Sequence, residues 1–580
     1  MLLFKATLVL LFSVCTYNPM VLLEHNQLKK INYVLGEKNH RIVDENEANK
    51  LFFLTYVYDD GWSPSDPSGS YSLFNTIVIE SGIAYITSNT TCATVTVNPG
   101  ATLIIASGAT LTATVNLQST SQEYSSLISD GSISGTVNYN RYTALIGPVG
   151  TNDLISAPLQ GQTFGLFATN NSNLAASGLV RAFAPFNTSS GNYENYNTVT
   201  NLLTTIVSGK GYRAATTNGS TLKFTGNVIT GDVLDIPISD ASAGGAWNLI
   251  GNPYPSYIDF ATFFALNKTE LNGGSHQAIY GYDGDSSDGW TIWNQAVIDS
   301  PIVTELIAPG QGFFVKAKSG GGLIDFTTAM RTSGSSDDFI LGRSSESSPH
   351  FGYVRLKSSS NASNYFTDIY FNSNTSNSFD AGYDAAIYGG VPPSFSIYSK
   401  MVDGNSSDIS LAVQAVNPDS IYNNMIPLGV NANQGEQLTI SIDQTDIDES
   451  IDIYLDDTEN NTSTLLTTND FILTPNSNLS GSGRFYLRFS NASLGTAEIH
   501  LNQLNIYNNT SQKTIVISGV IQSNTKAKLY DLNGRLILSK DLNPKSNNQV
   551  IDVSDVSIGV FILQLENSGN EKVTKKIIIR

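Results

Sequence analysis

The chain has 580 residues, with 31 Lys+Arg against 50 Asp+Glu and a formal net charge of −19. Its length allows roughly three to five domains, its acidity argues against a nucleic-acid partner because phosphate binding needs patches of Lys and Arg, and its two cysteines are too few for a disulfide framework. Abundant Gly and Tyr with only 5 Met fit an all-β, multidomain, extracellular protein with many polar turns.

Residues 1–23 read as a signal segment: Lys5 precedes the apolar run Ala6–Val14, which is too short to span a bilayer, so no transmembrane anchor is expected. Residues 24–70 read as a polar, irregular segment, with ten charged residues among the 27 from Glu24 to Lys50. From 71 to 142, strands of four to six residues are cut by Gly turns, and Gly100-Ala101-Thr102-Leu103 recurs as Gly108-Ala109-Thr110-Leu111. Such spacing favours a short β-solenoid over a meander of hairpins, with Leu103, Ile105, Leu111 and Val115 pointing inward. Cys92 lies here and reads as a small buried hydrophobe rather than a nucleophile.

Residues 143–332 form an aromatic, turn-rich β domain of unknown function, with one short helix expected at Phe260–Leu266. Its sharpest local cluster is Asp283-Gly284-Asp285-Ser286-Ser287-Asp288-Gly289-Trp290. Asp283, Asp285 and Asp288 on a Gly-flanked loop suit a hard cation, Ca²⁺; a polar β-turn is the plainer reading, and the EF-hand pattern fails because its twelfth position is Asn294. Tyr282, Trp290 and Trp293 flank the cluster, giving a candidate glycan surface of flat rings with Asp283 and Asp285 at the rim. A core is the plainer reading of alternate aromatics in a strand.

Residues 333–349 are Ser-rich and read as a linker. From 350 to 507, seven short apolar runs separated by turns predict a β-sandwich. The acidic patch Phe379–Asp384 reads as a structural turn.

Residues 511–580 carry ten Lys+Arg and six Asp+Glu, a net +4 on an acidic chain, and Asn533-Gly534 signals a hairpin with a type I′ turn. Leu529, Tyr530, Asp531, Gly534 and Arg535 are followed by Ile551-Asp552, by Gly559-Val560-Phe561 and by a tail with Lys575, Lys576 and three Ile. These blocks, in this order, resemble the type A C-terminal sorting domain of type IX secretion substrates, a small β-sandwich. The resemblance implies the type IX secretion machinery as a partner, a secreted or outer-membrane-surface location, and removal of the domain after export. The stretches at 244–260 and 308–322 resemble uncharacterised β regions of such exported proteins.

No HExxH, CxxC, P-loop or GxSxG pattern occurs. His276, His350 and His500 lie far apart in sequence, and among 50 acidic residues no carboxylate pair stands out. No catalytic residue is assigned. The favoured function is a non-enzymatic surface protein serving adhesion or binding extracellular glycan or matrix; the alternative is a secreted, carboxylate-dependent polysaccharide hydrolase.

Overall fold

The computed structural model describes residues 54–580 apart from 148–150, 283, 285–289, 301–305, 338–349, 404–408, 492–503, 511, 520, 522–524, 544–545, 547, 568–571 and 580. The expected signal segment, most of the polar segment, His500 and residues 338–349 of the expected linker lie outside the described residues. The rest is all-β; among the described residues the α-helices are Phe164–Asn170, Phe260–Asn267 and Gln295–Ile298.

The first part is a parallel solenoid. Strands Thr55–Asp59, Thr76–Ser81, Thr90–Val97, Thr110–Leu117 and Val137–Thr143 stack in one sheet, with Ile77 beside Val95, Val95 beside Val115 and Val115 beside Val137. A second parallel sheet holds Ile83–Ile86, Thr102–Ile105 and Ser126–Ser129. Each coil is about 20 residues, and its apolar faces meet between the sheets. Leu103, Ile105, Leu111 and Val115 are all 0% exposed there, as expected.

The eight-residue repeat has a different meaning from the coil. Thr102-Leu103 opens a strand of one sheet and Thr110-Leu111 a strand of the other, so the repeat marks two sides of a single coil. Gly100 (φ +78°) and Gly108 (φ +81°) make the corners, where a Cβ would be strained. The stack starts at Thr55, inside the segment expected to be irregular. At its other end Ser220–Gly226 pairs antiparallel with Val137–Thr143 and stops parallel growth, the capping that a solenoid requires. The solenoid core then continues into Phe164, Phe167, Phe183 and Phe224, so no gap in packing falls at 142/143.

Residues 153–332 form small sheets around a four-stranded one: Trp247–Gly251, Gly312–Lys316, Ile279–Gly281 and Thr291–Trp293. The expected helix is present. The Asp259 carboxylate accepts the Thr262 N–H at 2.7 Å as its N-cap, and Phe260, Phe263 and Phe264 are buried.

From 350 to 491 one eleven-stranded sheet curls over on itself. Strands Asn364–Asn372 and Ser482–Asn491 stand four places apart in it, about 19 Å in a flat sheet. Yet the rings of Phe371 and Phe489 are 4.8 Å apart, so the two halves face each other across one core, as in a sandwich. Strand Met425–Asn431 escapes the sequence reading because Pro427 and Gly429 argue against a central strand. Pro427 is tolerated with its carbonyl accepting the Lys400 N–H. At Gly429 the Tyr398 ring occupies the place of a Cβ.

The two regions flanking the expected linker share a core. Ile279, Tyr280, Trp293 and Phe314 pack in one cluster with Tyr353, Tyr370 and Val413. Tyr280 donates its hydroxyl to the Ala386 carbonyl at 3.0 Å, and Asn294 Nδ2 donates to the Tyr383 carbonyl at 2.8 Å.

The tail is a separate small sandwich. Asn505–Asn509, Thr514–Ser518 and Asn548–Asp552 form one sheet, and Leu536–Leu542, Thr525–Asp531, Gly559–Asn567 and Lys572–Ile579 the other. It begins at Asn505, earlier than the charge pattern indicated, because the polar strand NIYNN pairs with Thr514–Ser518.

Candidate functional site

A cleft of about 400 Å³ opens beside strand Gly211–Ala214 and the hairpin of Ala176–Ser177 with Val180–Arg181. Alternation along Gly211–Ala214 sends Tyr212 into the core and leaves Arg213 half-buried on the cleft wall. Asn152, Arg181 and Asn195 add polar groups, and Ile146 and Val180 apolar ones. The described residues that line the cleft include no carboxylate, imidazole or thiol.

Below Arg213 lies Tyr193, its ring centroid 3.9 Å from the guanidinium carbon, a cation–π contact. Tyr193 lies beside Tyr282, and Tyr282 donates its hydroxyl to Asn152 Oδ1 at 2.7 Å. Burial pushes the Tyr193 phenol up to about 12 and holds that of Tyr282 higher still, so both are neutral hydrogen-bonding groups at physiological pH. Trp290 meets Tyr282 edge-to-face at 5.0 Å. A chain of aromatic contacts thus runs from the cleft wall to Trp290.

The aromatic candidates separate. Trp293 is 1% exposed and packs on Phe260 at 5.5 Å, and Tyr282 is 6% exposed. Neither offers a ring face to solvent, because Trp293 on its strand and Tyr282 just beyond Ile279–Gly281 both belong to the body's core. Trp290 alone of the three is half-buried. Asp283, Asp285 and Asp288 lie outside the described residues. Gly284 between them donates its N–H to Asp153 Oδ1 at 2.9 Å, and its carbonyl accepts the Asn152 N–H at 2.7 Å. Among the described residues no group of three His, Cys, Asp or Glu is placed to hold a metal. Arg213, Tyr193, Asn152 and Arg181 carry no sequence signal; they come from four separate segments that only the fold assembles.

The remaining reactive groups are structural. His276 is buried beside Trp247, and desolvation together with the Lys316 charge pulls its imidazole down to about 3. Its bond to Ser275 Oγ, at 2.7 Å, therefore joins the serine to a very weak base. His350 Nε2 is 2.6 Å from Asp446 Oδ2. Burial pushes the Cys92 thiol up to about 11, away from nucleophilic character. In the acidic patch, Asp384 accepts the N–H groups of Asp380 and Ala415, and Asp380 accepts those of Ser376; both carboxylates brace turns.

In the tail, the Tyr-Asp-x-x-Gly-Arg motif is a turn device. Asp531 Oδ1 accepts the N–H groups of Asn533 at 3.0 Å and Arg535 at 2.9 Å. The Gly534 N–H bonds the Asp531 carbonyl, and Gly534 sits at φ +80°. Asn533 is not at positive φ, so the turn is a type I turn followed by a left-handed Gly, and not type I′; the Asp531 carboxylate stabilises this alternative. Tyr530 continues the strand opposite Ile562, Gly559 opens the strand facing Ile579, and Lys575 and Lys576 are exposed on the last strand.

Over residues 61–489 the chain matches a family described as "Domain of unknown function (DUF8693)". Residues 505–580 match the "Secretion system C-terminal sorting domain", the limits at which the tail sandwich begins and ends. No curated protein matches the chain. A solved polysaccharide lyase is 10% identical over 40% of this chain and 40% of its own, with a TM-score of 0.11, a likeness too slight to carry any argument. Among the described residues no helix is long and apolar enough to cross a membrane. The chain belongs to the family of the domain of unknown function DUF8693 and, by its sorting domain, is a type IX secretion substrate, secreted or displayed at the cell surface.

Proposed function

We propose that the body is a non-enzymatic binder of extracellular glycan, working at or beyond the cell surface in adhesion, with the cleft at Arg213 as its binding site. The observation that carries this reading is the composition of that cleft. Its described lining offers amide and guanidinium donors, the groups that hold sugar hydroxyls, with the Tyr193 ring packed against Arg213 behind them. It offers no carboxylate pair for glycosidic bond cleavage.

The test is to screen the full chain against polysaccharide panels, for retention and for release of reducing ends. Retention without release is the expected result. Sustained product release, abolished by one Asp or Glu substitution that leaves the fold intact, overturns the reading in favour of a hydrolase.

A further inference from the structure

We infer that the cleft is selective for anionic sugars, with Arg213 binding the carboxylate of a uronate or the sulfate ester of a sulfated residue; this rests on the glycan-binding reading above. Arg213 lies half-buried on the cleft wall. Its guanidinium makes no hydrogen bond to another described residue, and among the described residues no carboxylate pairs with it. Among the described residues of the curled sheet, the half-buried arginines are matched. Arg355 is paired with Asp368, Arg484 with Asp457 and Arg488 with Asp456, each through two bonds. With 50 acidic residues against 31 basic ones, an arginine without a counter-ion in a cleft is a departure from that pattern.

Arg213 is also held ready. The Tyr193 ring, 3.9 Å from the guanidinium carbon, holds the group by a cation–π contact, and its N–H groups take no hydrogen-bond partner among the described residues. Carboxylate and sulfate oxygens fit a guanidinium edge bidentately, which an ammonium group would not reproduce. A second cation lines the same cleft. Arg181 is tied by Nη1 to the Gly178 carbonyl at 2.9 Å, which anchors the guanidinium on its hairpin. Asn152 is oriented too, because the Tyr282 hydroxyl binds its Oδ1 and so fixes which end of the amide is the acceptor.

The experiment uses the full chain and four probes: polygalacturonate, a sulfated galactan, a neutral galactan and a neutral glucan. Affinity is measured for wild type, Arg213→Lys and Arg213→Met, with melting temperature as the fold check. The expected result is binding of at least one acidic polymer, weakened at least tenfold in Arg213→Met and only partly restored in Arg213→Lys, with any neutral binding unchanged. Which acidic polymer binds tells carboxylate from sulfate. If Arg213→Met fails to fold, displacement of the bound polymer from the wild type by free glucuronate or galactose sulfate, but not by galactose, gives the same answer. Equal binding of acidic and neutral polymers, or unchanged acidic binding in Arg213→Met, overturns the charge selectivity while leaving glycan binding standing. No retention of any glycan overturns both.

Discussion

The indole of Trp290 lies flat on the ring of Tyr388, with centroids 3.9 Å apart and planes 14° from parallel. One ring comes from the body before residue 333 and the other from the curled sheet after 350. Around them Trp247, Tyr280 and Phe314 contact Tyr388 as well. The contact is therefore the centre of an aromatic seam between two stretches of sequence that read as separate domains.

Cutting that seam should cost the whole body. Tyr388→Ala is expected to lower stability by about 3 kcal/mol, in the range for large aromatic truncations, and Tyr388→Phe by well under half of that. Urea denaturation should show a single transition for residues on both sides of the seam. Two transitions, with only one moved by Tyr388→Ala, would show that the regions fold independently.

The strand pair Ile451–Asp457 and Ser482–Asn491 carries two buried carboxylates, Asp456 and Asp457, both 0% exposed. Arg484 grips Asp457 at 2.8 and 2.7 Å. Asp457→Ala removes these two bonds and those that Asp457 accepts from the Glu459 and Asn460 N–H groups, and is expected to cost about 2–3 kcal/mol. Arg484 also pairs with Glu459, which is 60% exposed, and Glu459→Ala should cost below about 1 kcal/mol. Comparable losses for the two variants would contradict this ranking.

Asp384 gives a pH signature. Burial raises its carboxyl from 3.8 to about 7 in the fold, against the opposing bonds from Asp380 and Ala415. The folded state thus holds this proton where the unfolded chain has lost it. The associated stabilisation is complete below pH ~4 and disappears as pH rises through about 7. The stability difference between wild type and Asp384→Ala should narrow from pH 5 to pH 8. A difference that is constant or widens over that interval would refute the assignment.

The tail makes a separate prediction. Deleting residues 505–580 should leave the protein in the periplasm, read by fractionation. Gly534→Ala, at φ +80°, should destabilise the tail by about 1 kcal/mol and leave the melting of the body unchanged. Normal appearance of the truncated protein at the surface or in the medium would mean that export uses another signal.

The parts legible in the sequence are those written in local code. The solenoid announced itself through Gly corners and alternating Leu, Ile and Val, and the tail through Asp531 and Gly534, which act within one hairpin, and through Gly559, which opens the next strand. The helix at Phe260 was marked by its apolar run. What stayed hidden depends on distance along the chain. Strand Met425–Asn431 looks broken by Pro427 and Gly429 until Tyr398 and Lys400 are seen beside it. The cleft residues Asn152, Arg181 and Arg213, and Tyr193 packed against Arg213, are each unremarkable alone. Tyr282 and Trp293 were visible as aromatics, but their spacing could not say which rings face the core.

The tail's core belongs to the tail. Ile506, Ile515, Leu529, Ile551, Phe561, Leu563 and Ile577 pack with one another in a cluster that contains no body residue, although Tyr507 touches Tyr486 across the junction at 4.8 Å. A module that carries its whole interior with it is portable. Joined to an unrelated passenger it would bring its own fold along, and once cut away it would leave the passenger's interior untouched. The body is thus free to diverge in sequence and ligand without rewriting the address that it travels under.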